Sequence, residues 1–389
     1  MKINYKFPED FLWGAASASF QMEGGIHNTD WNLGAEIGKV PKTDDRVNHY
    51  YKYEKDFALA RELGQNCQRI SIEWARIEPE EGKFNHKEID HYKKVIASIK
   101  QNGMKPFVTL WHFTLPIWFY EKGGFSHKKS PEIFARYCEF VLKHLGSEVT
   151  YWDTINEPIV WASNGYMRGN WPPFRKNIFA YFSAIKNQAK AHNLVYKQNR
   201  HKYPNIEIGI VKDNINFRSN KNPWNKIIRK ITDYHWNHYF FNKIKGNFDH
   251  IGLNYYFDTF IGRKPQWYLD LPKSDMGWTL SPEGIYFVLK DLARYKKAIY
   301  ITEAGIADSE DKYRAEYINE LVHNTHRAIE DGVDVRGFMY WSLLDNFEWA
   351  LGYEKEFGLI HIDKDGNRKV RESAFVYQKI CESNQITIE

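Results

Sequence analysis

Residues 151–158 read Tyr151-Trp152-Asp153-Thr154-Ile155-Asn156-Glu157-Pro158. Four of the first five are aromatic or β-branched, which favours a short strand. The strand runs straight into an amide, a carboxylate and a proline that cannot carry it on. The same build recurs along the chain. Candidate strands lie at 11–16, 67–72, 106–111, 151–155, 206–211, 250–254, 298–302 and 337–341, several of them apolar almost throughout. Near-continuous apolar runs mark parallel strands covered by helices.

Helical patterns fill the gaps. Residues 50–63 set Tyr53, Phe57 and Ala60 on one face, and 86–100 turn Ile89, Val95 or Ile96, and Ile99 inward before Gly103 stops the helix. Further helices are expected at 132–145, 181–199, 236–241, 285–295 and 312–331. Eight strands alternating with helices predict an α/β protein, a single (β/α)8 TIM barrel, over residues 1–389 as one catalytic domain. A doubly wound sheet would carry an early Gly-x-Gly-x-x-Gly turn. Gly24-Gly25 and Gly123-Gly124 are turns without that cradle. Residues 165–174 and 214–230 read as long loops.

Composition narrows the partners. The 389 residues are 43% hydrophobic and 26% charged, which excludes disordered and collagen-like chains. A net charge of +5 without a block of like charges gives no expectation of a nucleic-acid partner. The basic stretches 221–230 and 364–371 read as solvated faces. Cys67, Cys138 and Cys381 are too few and too scattered for a disulfide framework or a zinc site. No stretch reaches the roughly 20 apolar residues of a spanning helix, and the N-terminus has no leader-like apolar run. A cytoplasmic protein without stable membrane insertion is expected. His235 and His238 flank aromatic residues and read as helix packing, so no metal and no cofactor are expected. The pattern carries no reading of oligomeric state. Aromatic residues make up 16%, and Trp beside Glu, Asn and His suits the apolar faces and polar edges of sugar rings.

The chemistry sits just beyond the strands. Strand three leads into Trp111-His112, strand four into Asn156-Glu157, strand six into Asn254-Tyr255-Tyr256, and strand seven into Glu303-Ala304-Gly305. Strand eight leads through Trp341 to Glu348-Trp349. In a barrel these ends converge on one mouth. Glu157 and Glu303 would face each other there, and two carboxylates about 5.5 Å apart support glycosidic cleavage with retention.

The chain resembles glycoside hydrolase family 1, the retaining β-glycosidases. The resemblance rests on Phe11-Leu12-Trp13-Gly14-Ala15, Gln21-Met22-Glu23-Gly24, Arg69 through Ile77, Thr109-Leu110-Trp111-His112 and Thr154-Ile155-Asn156-Glu157-Pro158. It continues through Gly252-Leu253-Asn254-Tyr255-Tyr256, Ile301-Thr302-Glu303, Trp341 through Trp349, and Phe357-Gly358-Leu359. It implies Glu157 as acid/base and Glu303 as nucleophile, with Arg69 and Tyr256 supporting the latter. It also implies a sugar-binding set of Gln21, His112, Asn156, Asn254, Tyr256, Trp341, Glu348 and Trp349. Small β-glycosides or short oligosaccharides, foremost β-glucosides and also galactosides or fucosides, are the implied substrates.

Two departures stand out. Ala304 replaces the Asn that usually follows the nucleophile, and the chain is shorter than usual members, which opens the rim and makes Trp161, Asn214 and Trp278 candidates to line it. A 6-phospho-β-glycosidase is the alternative within the family, where Glu348 would oppose a phosphate dianion. A sugar-binding protein that has lost turnover is the alternative outside it.

Overall fold

The computed structural model describes residues 3–388. Eight parallel strands, Leu12–Ala16, Cys67–Ser71, Lys105–Thr109, Tyr151–Asn156, Glu207–Asp213, His250–Tyr255, Ala298–Ala304 and Val335–Trp341, close into a barrel. They are numbered one to eight below. Each pairs with its neighbours in sequence, and strand eight closes on strand one with Gly337 opposite Leu12. The expected (β/α)8 barrel is the observed fold.

Helices cover the outside. His86–Gln101 is capped by Asn85, whose side chain accepts from the Lys87 N–H, and Ile178–Asn199 by Asn177 in the same way. The floor is closed by Phe107, Tyr151 and Tyr300 around His250, with ring centroids 5.2–6.3 Å apart. Gly209 is needed there, because a Cβ would lie 2.2 Å from the His250 ring.

Three expectations fail in whole or in part. Residues 214–230 are not a loop: Asn216–Ser219 pairs with Asp258–Ile261 in a two-stranded sheet outside the barrel, and Pro223–Asp233 is helical. Within 165–174, residues up to Arg168 belong to a widened helical turn, Ser163–Arg168. The stretch 364–371 is a solvated face only in part: Lys364, Asp365, Asn367 and Lys369 are exposed, but Arg368 bonds Asp56 at 2.8 Å and Arg371 bonds Asp345 at 2.7 Å, both below the surface. The sequence reading also missed the C-terminal helix Glu372–Ser383, whose Tyr377 hydroxyl donates to the carbonyls of Gly14 and Phe338. Ile3–Lys6 pairs with Gln385–Ile388.

No helix among the described residues is long and apolar enough to cross a membrane.

Candidate active site

Two bulges aim the carboxylates. Strand four advances three residues, Asp153 to Asn156, while strand five advances two, Gly209 to Val211. Strand seven takes two residues, Ile301 to Glu303, where strand six takes one, Leu253 to Asn254. An extra residue bends a strand and redirects the side chain after it. Glu157 then sits in the left-handed region at φ 45°, just before Pro158 starts a helix. Phe113 at φ 74° and Trp349 at φ 48° are strained in the same sense at the same mouth, and such strain clusters where function over-determines the backbone. Gly305 follows strand seven because a Cβ would lie 2.1 Å from the Trp341 carbonyl.

One polar chain ties the two carboxylates together. Arg69 donates from Nη1 to Glu303 Oε1 and from Nη2 to Asn156 Oδ1 at 2.7 Å. Tyr256 donates to Glu303 Oε2 at 2.5 Å. Asn254 accepts from Thr302 at 2.7 Å, which turns its amide nitrogen toward Glu157 Oε1 at 2.6 Å. The Arg69 contact likewise fixes the Asn156 amide, so its Nδ2 faces His112 Nε2 at 3.3 Å. That ring nitrogen accepts, and the His112 proton belongs on Nδ1, which is buried without a partner. Gln21 spends its amide nitrogen on Asn346 and the Phe347 carbonyl, leaving Oε1 buried and unpaired.

The charges are unequal. Burial, then the charge on Glu303, holds Glu157 well above the usual carboxylate range. Burial raises Glu303 too, but Arg69 and Tyr256 pull it back. Glu303 therefore ionises first and Glu157 keeps its proton. Burial and the Glu303 charge push Glu348 up to about 8. Burial and Arg69 hold His112 far below its ordinary value, so it stays neutral.

Aromatic walls enclose these groups. The His112 ring lies within 15° of parallel to both Trp341 and Trp349, each with its centroid 6.0 Å away. Trp349 is backed by Trp31 and Phe113. These contacts bring Arg69, His112, Asn156, Glu157, Asn254, Tyr256, Glu303, Trp341 and Trp349 together at the mouth; Gln21 is tied to Phe347, and Glu348 is near enough to feel the Glu303 charge.

The expected rim divides. Trp278 stands half-exposed, its ring 5.5 Å from Tyr256. Trp161 does not reach the rim; it packs on Trp111 and Phe125 in the core because the helix after Pro158 turns it inward. Asn214 is buried as well, its N–H tied to the Asn254 carbonyl. Ala304 is a buried strand residue paired with Tyr255 and Tyr340.

The sequence reading missed Lys212 and Asp213, because it ended strand five at Val211. Both are buried, and their charges act on Glu157. Burial lowers Lys212 to about 8 and raises Asp213 to about 7. Two acidic and basic residues closing an apolar run were the available signal. His235 and His238 pack as expected, on Tyr181 and Tyr295. Asp345, Glu356 and His361 converge below the mouth, but Arg371 donates to both carboxylates and neutralises them.

Known proteins agree with this arrangement. Residues 3–253 and 237–386 match the sequence profile of Glycosyl hydrolase family 1. The chain is 31% identical to a 1,4-beta-D-glucan glucohydrolase of Thermotoga neapolitana over 98% of its own length and 99% of that protein's. It superimposes on a beta-glycosidase from Pyrococcus horikoshii with a TM-score of 0.92 and 36% identity, covering 99% of this chain and 96% of that one. A family 1 beta-glucosidase from Thermotoga maritima gives a TM-score of 0.92 at 31% identity, covering 98% and 99%. The chain belongs to glycosyl hydrolase family 1.

Proposed function

We propose that the chain is a retaining β-glycosidase, foremost a β-glucosidase, that removes terminal β-glucosyl residues from small glycosides in two displacements. The observation that carries the reading is the unequal pair: a protonated Glu157 joined through Asn254, Asn156 and Arg69 to an ionised Glu303. Glu157 protonates the departing oxygen while Glu303 attacks the anomeric carbon and forms a glycosyl ester. The charge on Glu303 is then spent, which removes one cause of the raised Glu157 pKa. Glu157 loses its proton more readily and becomes the base that draws a proton from water. The sugar leaves with its β configuration.

Binding follows from what the pocket leaves unsatisfied. Asn156 Nδ2 and His112 hold only each other, at 3.3 Å, and both face the sugar hydroxyls. Gln21 Oε1 is a free acceptor, and the Glu348 carboxyl offers a second polar group. Trp341 offers the flat surface and Trp349 the wall. The curated relatives and solved structures include proteins named glucosidase, glucan glucohydrolase and galactosidase, which supports glucosides first and galactosides second. Glu348 argues against a 6-phosphosugar, since it brings no positive charge to a phosphate dianion and repels it once ionised, above about 8. The whole chain acts as one catalytic unit, and three buried, unpaired cysteines suit the cytoplasm.

The test is kcat/KM on p-nitrophenyl β-glucoside, β-galactoside, β-fucoside, β-mannoside and β-glucoside 6-phosphate. Turnover of the neutral sugars with the phosphate ester poorest is expected. Turnover confined to the phosphate ester overturns the reading of Glu348. Sugar binding without turnover replaces the enzyme with a binding protein.

A further inference from the structure

The helix Pro223–Asp233 is amphipathic in the wrong direction for a surface helix. At 3.6 residues per turn, Trp224, Ile227, Ile228 and Ile231 share one face, and that face points away from the protein. Trp224 is 73% exposed and Ile231 64%, and no residue of the helix is buried. The face against the protein is polar. Asn225 donates to Asn220 at 2.9 Å, Arg229 to the Phe217 carbonyl at 3.5 Å, and Asp233 accepts from Asn237 at 2.6 Å. Core-facing helices are built the other way round.

The apolar surface extends beyond this helix. Phe182, 41% exposed, packs on His235 in the turn that continues it, and Phe179 one turn earlier is 85% exposed. On the other side lies an open groove of about 490 Å³ lined by Arg218, Lys221, Arg229, Arg263, Phe260 and Trp267. The region is also strongly basic. Residues 221–233 hold Lys221, Lys226, Arg229 and Lys230 against Asp233 alone, and Arg263 joins them across the groove, whereas Arg218 is paired with Asp258 and Glu283.

We propose that this surface docks on an anionic lipid bilayer, with Pro223–Asp233 lying in the interfacial plane. An exposed Trp and Ile face flanked by lysines is the build of a helix that lies on a membrane without crossing it, and Trp is favoured at that depth. The basic groove supplies the attraction to acidic headgroups, on the order of 1 kcal/mol per basic side chain near the surface. Charge also argues against the other occupants. A two-fold dimer through this face would set the same positive field against itself. A nucleic acid would meet Trp and Ile where it needs donors. The connections after strands four, five and six carry the patch and also rim the mouth, so docking brings the mouth beside the lipid surface.

Co-sedimentation tests this with vesicles of phosphatidylcholine and phosphatidylglycerol, against vesicles of phosphatidylcholine alone. The full chain is expected to bind the anionic vesicles at least about tenfold more tightly, and to release them as salt is raised. The triple variant Trp224→Asn, Ile228→Asn, Ile231→Asn is expected to lose binding while keeping its melting temperature and its turnover of a nitrophenyl glycoside. Lys221→Glu with Lys226→Glu and Lys230→Glu is expected to abolish the preference for anionic lipid. Equal binding to both vesicles, or none, overturns the proposal. So does a concentration-dependent dimer that the triple Asn variant dissolves, or retention on duplex DNA without lipid binding.

Discussion

At the floor of the barrel His250 stands between Asp153, at 3.1 Å, and Glu207, at 3.6 Å. At the mouth Arg69 pairs with Glu303 alone, while Glu157 and Glu348 have no cation bonded to them. Both ends bury ionisable groups, but the floor pairs its own, whereas the mouth pairs only Glu303 and leaves Glu157 and Glu348 without a counter-charge. Burial opposes the charge on His250, yet Asp153 and Glu207 outweigh it and raise the imidazole to about 9. At the mouth nothing outweighs burial for Glu157 or Glu348. A buried charge left short of partners is costly. The fold tolerates it where substrate supplies what is missing, and the floor, with no substrate to meet, closes its own account.

Substitutions at the two ends should therefore fail differently. The largest effect is expected for Glu303→Gln, which removes the attacking oxygen: kcat falls by about 10⁴-fold or more while the melting temperature holds or rises. A melting temperature that drops with activity would place Glu303 with the floor. Glu157→Ala is expected to cost about 10²–10⁴-fold on poor leaving groups, less on dinitrophenyl glycosides that need no protonation, and to be partly rescued by azide. An equal loss on all leaving groups would contradict the acid role.

The floor should show the opposite signature. His250→Gln breaks a buried ion pair and is expected to lower stability by about 3 kcal/mol, with turnover per folded molecule unchanged. The pH dependence has a definite sign. A group raised from 6.5 to about 9 on folding stabilises fully below pH 6.5, and the contribution is lost as pH rises through 9. The wild-type chain should lose stability across that window in a denaturant titration, and His250→Gln should flatten the loss.

A smaller effect sharpens the mouth. The Tyr256 hydroxyl favours the ionised Glu303, so Tyr256→Phe raises the carboxyl pKa. The acidic limb of kcat/KM is expected to move to higher pH by about half a unit to one unit. No movement would mean that Arg69 alone keeps Glu303 ionised.

The barrel was legible because its strands are short, largely apolar runs, most of them followed by a polar residue. All eight observed strands overlap the expected ranges, and the mouth residues follow from where each strand stops. The bulges before Asn156 and at Thr302 were not legible, since register shows only across two paired strands. Lys212 and Asp213 were missed because charges are read as the end of a strand, whereas here the barrel buries them. Trp161 was misplaced because a tryptophan just beyond a strand can face either the cleft or the core, and only the helix after Pro158 decides. Pro223–Asp233 was read as a loop because its Trp and Ile have no core to meet.

The central claim is that Glu303 carries the sugar between the two steps. The direct measurement is mass spectrometry of the protein inactivated with 2-deoxy-2-fluoro-β-glucosyl fluoride and digested. A single fluoroglucosyl adduct on the peptide holding Glu303 is the expected result. An adduct on Glu157, or an unlabelled protein that turns over and releases the α-anomer, would contradict it.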